Sequence, residues 1–143
     1  MPVALGAKQY RIELALIFGN TADGGIRLFA NGDTTLTNYQ QQQVKGLSTT
    51  PSAGTVNEPR IAYSSVAATD DAGHAVLDVS IVGDGLMVSG IFTRVEGATN
   101  VASIFQYGIH NFATTFSAID TLQFAGEQAN SFGVGTRIRI LKS

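Results

Sequence analysis

The sequence contains no cysteine and no tryptophan, only two histidines, and few charges of either sign. The missing cysteines exclude a disulfide framework and any thiolate metal site, and suit a chain made in a reducing compartment. Asp, Glu, Lys and Arg make up 14% of the residues, against about 25% in an average soluble domain. A net charge of −2 provides no basic footprint for a phosphate backbone, so no nucleic-acid partner is expected. Apolar runs are short. Val3–Ala7 is too brief for a secretory signal and has no basic flank, and nothing approaches the roughly 20 residues of a membrane helix. The expectation is a soluble protein with no membrane partner.

Thr, Ser, Asn, Gln and Gly take the place of the missing charge. A hydroxyl- and amide-rich surface of this kind is easiest to understand if neighbours in an assembly cover much of it, because isolated small domains usually carry more charge. The plain alternative is an ordinary β-protein with a neutral surface.

With 143 residues the chain is long enough for one domain with a two-layer core. From Tyr10 to Phe18 residues alternate, with Tyr10, Ile12, Leu14, Leu16 and Phe18 on one face and Arg11 and Glu13 on the other. A period of two marks a half-buried strand. Ile26–Phe29 follows, and Asn31-Gly32-Asp33 signals a tight turn before a strand-like Thr34–Tyr39. Periodicity then collapses from Gln40 to Pro59, where a Gln run and Ser48–Gly54 have loop chemistry. A loop of that length is either contact-forming or a mobile surface excursion. Further strands are predicted over Arg60–Val66, Ala75–Val82, Leu86–Val95, Ala102–Asn111, Phe116–Phe124 and Phe132–Leu141, with Asp84-Gly85 marking a hairpin. No convincing helical period occurs. The expected fold is all-β: a single jelly-roll-like sandwich of about eight or nine antiparallel strands, with residues 1–9 as an N-terminal arm and 40–59 as a long loop.

Chemistry is thinly supplied. Asp70, Asp71 and His74 lie in one turn and offer oxygen and nitrogen ligands for a metal, but the spacing matches no calcium loop and suits a solvated hairpin turn equally. His110 sits at a strand end, where a hydrogen-bonded structural role is the commoner one. There is no Gly-x-Ser-x-Gly elbow, and no cysteine to pair with histidine. Gly133–Arg137 enters a strand and not a helix, so it has no phosphate cradle. The reading is a non-enzyme with no catalytic residue and no cofactor. Carbohydrate binding is the more serious rival, since jelly rolls often bind sugars. Tyr39, Phe112 and Phe116 are then the aromatics to watch, although core packing is the expectation for both Phe.

Several motifs, in order along the chain, resemble a β-sandwich module of tail, fibre and head-decorating proteins of tailed bacteriophages. They are Tyr10–Leu16, Ile26–Phe29, Asn31-Gly32, Asn38-Tyr39, Gly90-Ile91-Phe92, Ile119–Phe124 and Phe132–Leu141. The half from His74 to Lys142 carries most of the likeness, and Ile140-Leu141-Lys142 stands where that module usually has Leu-Tyr-Gly. The resemblance implies a virion component, assembled in the host cytoplasm, with no catalytic residues to transfer. No coiled-coil or collagen-like shaft accompanies it, which favours a capsid decoration (cement) protein bound to the major capsid protein as a homo-oligomer, a trimer being favoured. The alternative is a small tail or head-fibre component that binds a host receptor or carbohydrate. Val3 and Leu5 of the arm, and Tyr39, Gln41, Gln43, Thr50 and Pro51 in or beside the loop, are the candidate partner contacts.

Overall fold

A computed structural model describes residues 2–19, 24–46, 51–64, 72–95 and 102–142. These form two antiparallel sheets packed face to face, an all-β, sandwich-like arrangement. The strands are β1 (Pro2–Ala7), β2 (Gln9–Ile17), β3 (Gly24–Ala30), β4 (Gln40–Gly46), β5 (Pro51–Val56), β6 (Arg60–Ser64), β7 (Ala72–Val82), β8 (Gly85–Val95), β9 (Ala102–Asn111), β10 (Ile119–Gly126) and β11 (Arg137–Lys142). The smaller sheet runs β1-β10-β3-β6 and the larger β11-β2-β7-β8-β9-β4-β5.

Alternation places the core. Tyr10, Ile12, Leu14 and Leu16 of β2, Ala75, Leu77 and Val79 of β7, and Phe105, Tyr107 and Ile109 of β9 all turn inward, facing Ile26, Leu28, Leu122 and Phe124 of the smaller sheet. Burying a large aliphatic or aromatic side chain contributes roughly 1.5–3 kcal/mol, so this interior holds the sheets together. Tyr63 of β6 meets Phe105 across the gap, with ring centroids 6.1 Å apart. The pairing is nested along the chain: β4 with β5, β3 with β6, β2 with β7, and β1 with β10. The β8-β9 hairpin is inserted between β7 and β4 in the larger sheet.

Several expectations are corrected. Eleven strands are described, where eight or nine were expected. The N-terminal arm is a strand, with Val3 paired to Leu122 of β10. The loop expected over 40–59 contains β4 and β5, paired from Gln41↔Val56 to Gly46↔Pro51. The polar run hid an alternation in burial, because Gln41 and Gln43 point inward and a buried amide is stable where its hydrogen bonds are met. Thr34–Tyr39 is not a strand; a 3-10 turn, Leu36–Asn38, forms there, its chain drawn around the Asp33 carboxylate. The last strand begins only at Arg137, because Gly133 to Thr136 closes a turn and Val134 projects fully into solvent. The Asp84-Gly85 hairpin forms as expected, but its turn residues are Gly83 and Asp84, with positive φ on Gly83 alone. That is the pattern of a type II′ turn.

Candidate functional site

Three polar constellations and one surface stand out. The first surrounds Asp33, just past the Asn31-Gly32 turn. Its carboxylate accepts hydrogen bonds from Thr114 Oγ1 at 2.7 Å, from Asn111 Nδ2 at 2.8 Å, and from the Asn38 amide and the Thr35 backbone N–H. Burial would raise its pKa, but these donors outweigh burial and hold it at about 2. Asn111 is wholly buried, and its Oδ1 accepts from the amides of Ala113 and Thr114. Tyr39, also buried, donates its hydroxyl to the Asp33 carbonyl. Burial, foremost, pushes that hydroxyl's pKa up. The constellation ties the ends of β3, β4 and β9 together, and its groups bond to one another around a part-exposed carboxylate.

The second is a square of alternating charge. Arg60 grips Glu127 through Nε at 2.6 Å and Nη2 at 3.0 Å, and Arg60 also reaches Glu58 at 2.8 Å. Arg27 reaches Glu58 at 2.9 Å and Glu127 at 3.3 Å. The four side chains are between 10% and 25% exposed. The square therefore clamps β3, β6 and the segments flanking them.

The third lies between the sheets. Gln41 of β4 donates Nε2 to the carbonyl of Arg60 at 2.8 Å and accepts from the Arg60 N–H at 3.1 Å, extending the ladder where the two sheets meet. Gln41→Ala would strand both backbone groups in the interior. We expect it to cost about 2–3 kcal/mol, read as a lower urea midpoint at unchanged slope. Tyr107, whose hydroxyl has no partner among the described residues, lies close by and lines a small, partly open pocket of about 10 Å³ with Gln41, Gln43 and Phe105. Burial pushes its hydroxyl pKa far up.

The surface is the outer face of the larger sheet. The outward residues of β8, β9, β4 and β5 include no Asp, Glu, Lys or Arg. The two cations on these strands are drawn away: Arg94 is buried and donates to the Tyr63 carbonyl, and Lys45 lies over the Tyr63 and Phe105 rings. Register puts Asp78–Ser89–Gly108–Gln42–Thr55 in one row across the strands, with the small residues Ser89 and Gly108 at its middle. Larger ones flank it, Ile91–Gln106–Val44 on one side and Met87–His110–Gln40 on the other. The result is a shallow groove of about 990 Å³ crossing the strands. Asp78, its one acid, faces Arg11 at 3.8 Å. Phe112 stands 59% exposed at one end, its ring 5.4 Å from that of His110.

The predicted site residues are scattered. His74 is exposed on the outer face of β7, and Asp70 and Asp71 lie outside the described residues. Among the described residues no three His, Asp or Glu side chains converge as a metal site would require. Tyr39, Gln41 and Gln43 are buried and out of a partner's reach. Pro51 is exposed at the start of β5, Thr50 lies outside the described residues, and Val3 and Leu5 belong to β1, Val3 paired to Leu122 of β10 and Leu5 within the register shift between Ala4 and Ala7. Phe116 is in the core as expected, whereas Phe112 is not. It sits over Gly85, where a Cβ would lie 2.2 Å from its ring, and that glycine was the available signal. No protein-family model matches the chain, and no curated protein or solved structure matches it.

Proposed function

We propose that this chain is a non-enzymatic structural subunit of a bacteriophage particle, and in particular a decoration protein that binds the outer shell as a symmetric oligomer. The likeness of its motifs to virion modules suggests the particle. The observation that carries the assembly role is the edge of the larger sheet. Open strand edges template pairing with other chains, and free-standing proteins blunt them. Three of the four edges here are blunted. β11 carries Arg137, Arg139 and Lys142, β1 has a register shift between Ala4 and Ala7, and β6 has Arg60 and a register shift against β3. β5 has no charge, no register shift and a proline only at its first residue. An undefended edge of this kind suits a surface covered by a neighbour, either the major capsid protein or another copy.

The nested strand pairing supports reading the fold as a jelly roll, a long hairpin folded over itself. Its fourth and fifth, third and sixth, second and seventh, and first and tenth strands pair; the β8-β9 hairpin and β11 are additions. Such a subunit stabilises a shell by linkage, because binding only the assembled state shifts the equilibrium toward it.

Immunogold microscopy of intact particles with antibody against this chain tests the reading. Label spread over the head supports decoration. Label confined to the tail moves the protein to the fibre class, and unlabelled particles sink the virion assignment. Placing lysines on the edge, Ser52→Lys with Gly54→Lys, should leave the melting temperature within about 2 °C. It should abolish co-sedimentation with purified capsids.

A further inference from the structure

We propose that the groove on the outer face of the larger sheet binds a neutral oligosaccharide, laid across the strands along the row from Asp78 to Thr55. This ligand is independent of the particle assignment.

Glycine 108 carries the inference. Most residues at the middle of a long strand contribute a side chain, and glycine there destabilises the strand. Gly46, at the end of β4, and Gly54, on the edge strand β5, have no tight packing neighbour but lie outside the groove, whereas Gly73 and Gly90 have a packing reason. At Gly73 a Cβ would strike the Phe92 ring, and at Gly90 it would strike the Tyr107 ring. Gly108 has none: a Cβ built there meets nothing within 4 Å. It forms the bare floor of the groove, between Ser89 and Gln42. A strand glycine that the fold does not require fits a position where a ligand approaches the backbone.

The lining selects the ligand. Gln40, Gln42, Gln106, Asn57, Ser80 and Ser89 offer amides and hydroxyls. Each amide presents a donor and an acceptor side by side, the pattern that adjacent sugar hydroxyls complement. Asp78 is countered by Arg11, so the groove offers nothing to a strongly charged ligand. The backbone groups of the floor are committed to the sheet ladder. An extended peptide, which is held mainly through its main chain at a sheet edge, would find no partners for it here. At the end of the groove the Phe112 ring, held upright by His110 and by the space over Gly85, offers a flat apolar face for the C–H side of a pyranose.

The test is NMR titration of the full chain with short malto-, cello-, manno- and chito-oligosaccharides. Shifts should concentrate at Gln42, Gln106, Gly108 and His110 for at least one series, and persist in high salt because no ion pair is involved. Gly108→Thr adds a β-branched side chain to a strand and fills the floor. It should leave the melting temperature equal or higher while weakening saccharide binding at least tenfold. Phe112→Ala should weaken binding severalfold with the spectrum otherwise unchanged. Binding unaffected by Gly108→Thr would overturn the proposal. So would the lack of groove shifts with every saccharide, or shifts produced by unrelated peptides and by none of the sugars.

Discussion

Replacing Asp33 by Ala is expected to destabilise the protein by about 3 kcal/mol, a large effect for a part-exposed polar residue. The carboxylate collects four sets of donors, from Thr35, Asn38, Asn111 and Thr114, and hydrogen bonds to a charged group are each stronger than neutral ones. Truncation also leaves the amide of Asn111, which has no solvent exposure, without this acceptor. The effect should depend on pH in a defined direction. The folded-state pKa of about 2 lies below the ordinary value of 3.8. The stabilisation is therefore complete above about pH 4 and fades as pH falls toward 2. Allowing for the partial exposure of the group, the pH-linked part is about 1–2 kcal/mol. Asp33→Asn keeps the shape without the charge, so its deficit relative to wild type should shrink between pH 5 and pH 2 in urea unfolding. A constant deficit over that range would mean that the donors do not stabilise the anion.

Glu127→Ala should cost a similar amount, about 3 kcal/mol, through a different cause. The carboxylate is 10% exposed and holds two guanidinium groups, so its removal leaves Arg27 and Arg60 facing each other with only Glu58 between them. Breaking a part-buried pair from one side destabilises far more than replacing both partners by apolar groups. The double variant Arg60→Met with Glu127→Leu should therefore unfold at a higher denaturant concentration than Glu127→Ala alone. A double variant as unstable as the sum of its single changes would show that the two residues act separately.

The sequence reveals those parts of the fold that follow simple rules. Tyr10–Ile17 alternates in polarity, and β2 forms there. Asn31-Gly32 marks a turn with positive φ at both residues. From Ala75 to Asn111 the strands lie close to the predicted positions, because apolar alternation and turn chemistry agree. The failures share a cause. At Gln41 and Gln43 the side chains facing inward are polar, so period-two burial is invisible in a hydrophobicity pattern. Their burial depends on partners such as the Arg60 backbone, which only the tertiary structure supplies. The strand at Pro2–Ala7 is similarly hidden, because its partner is β10, far along the chain. Of the surface features, low charge was legible in composition. That the remaining charges avoid one face was not, because it depends on cross-strand register.

The nested order of strand pairing also dictates a schedule. Ile17 is bonded to Thr136, 119 positions away in the sequence, and β1 closes onto β10. A ribosome delivers the N-terminal strands long before their neighbours exist, so those strands wait unpaired and the outermost pairs close last. Folding dominated by such distant partners is slow, typically milliseconds to seconds. Until β10 emerges, the partner-facing sides of β1 and β3 are open to other chains.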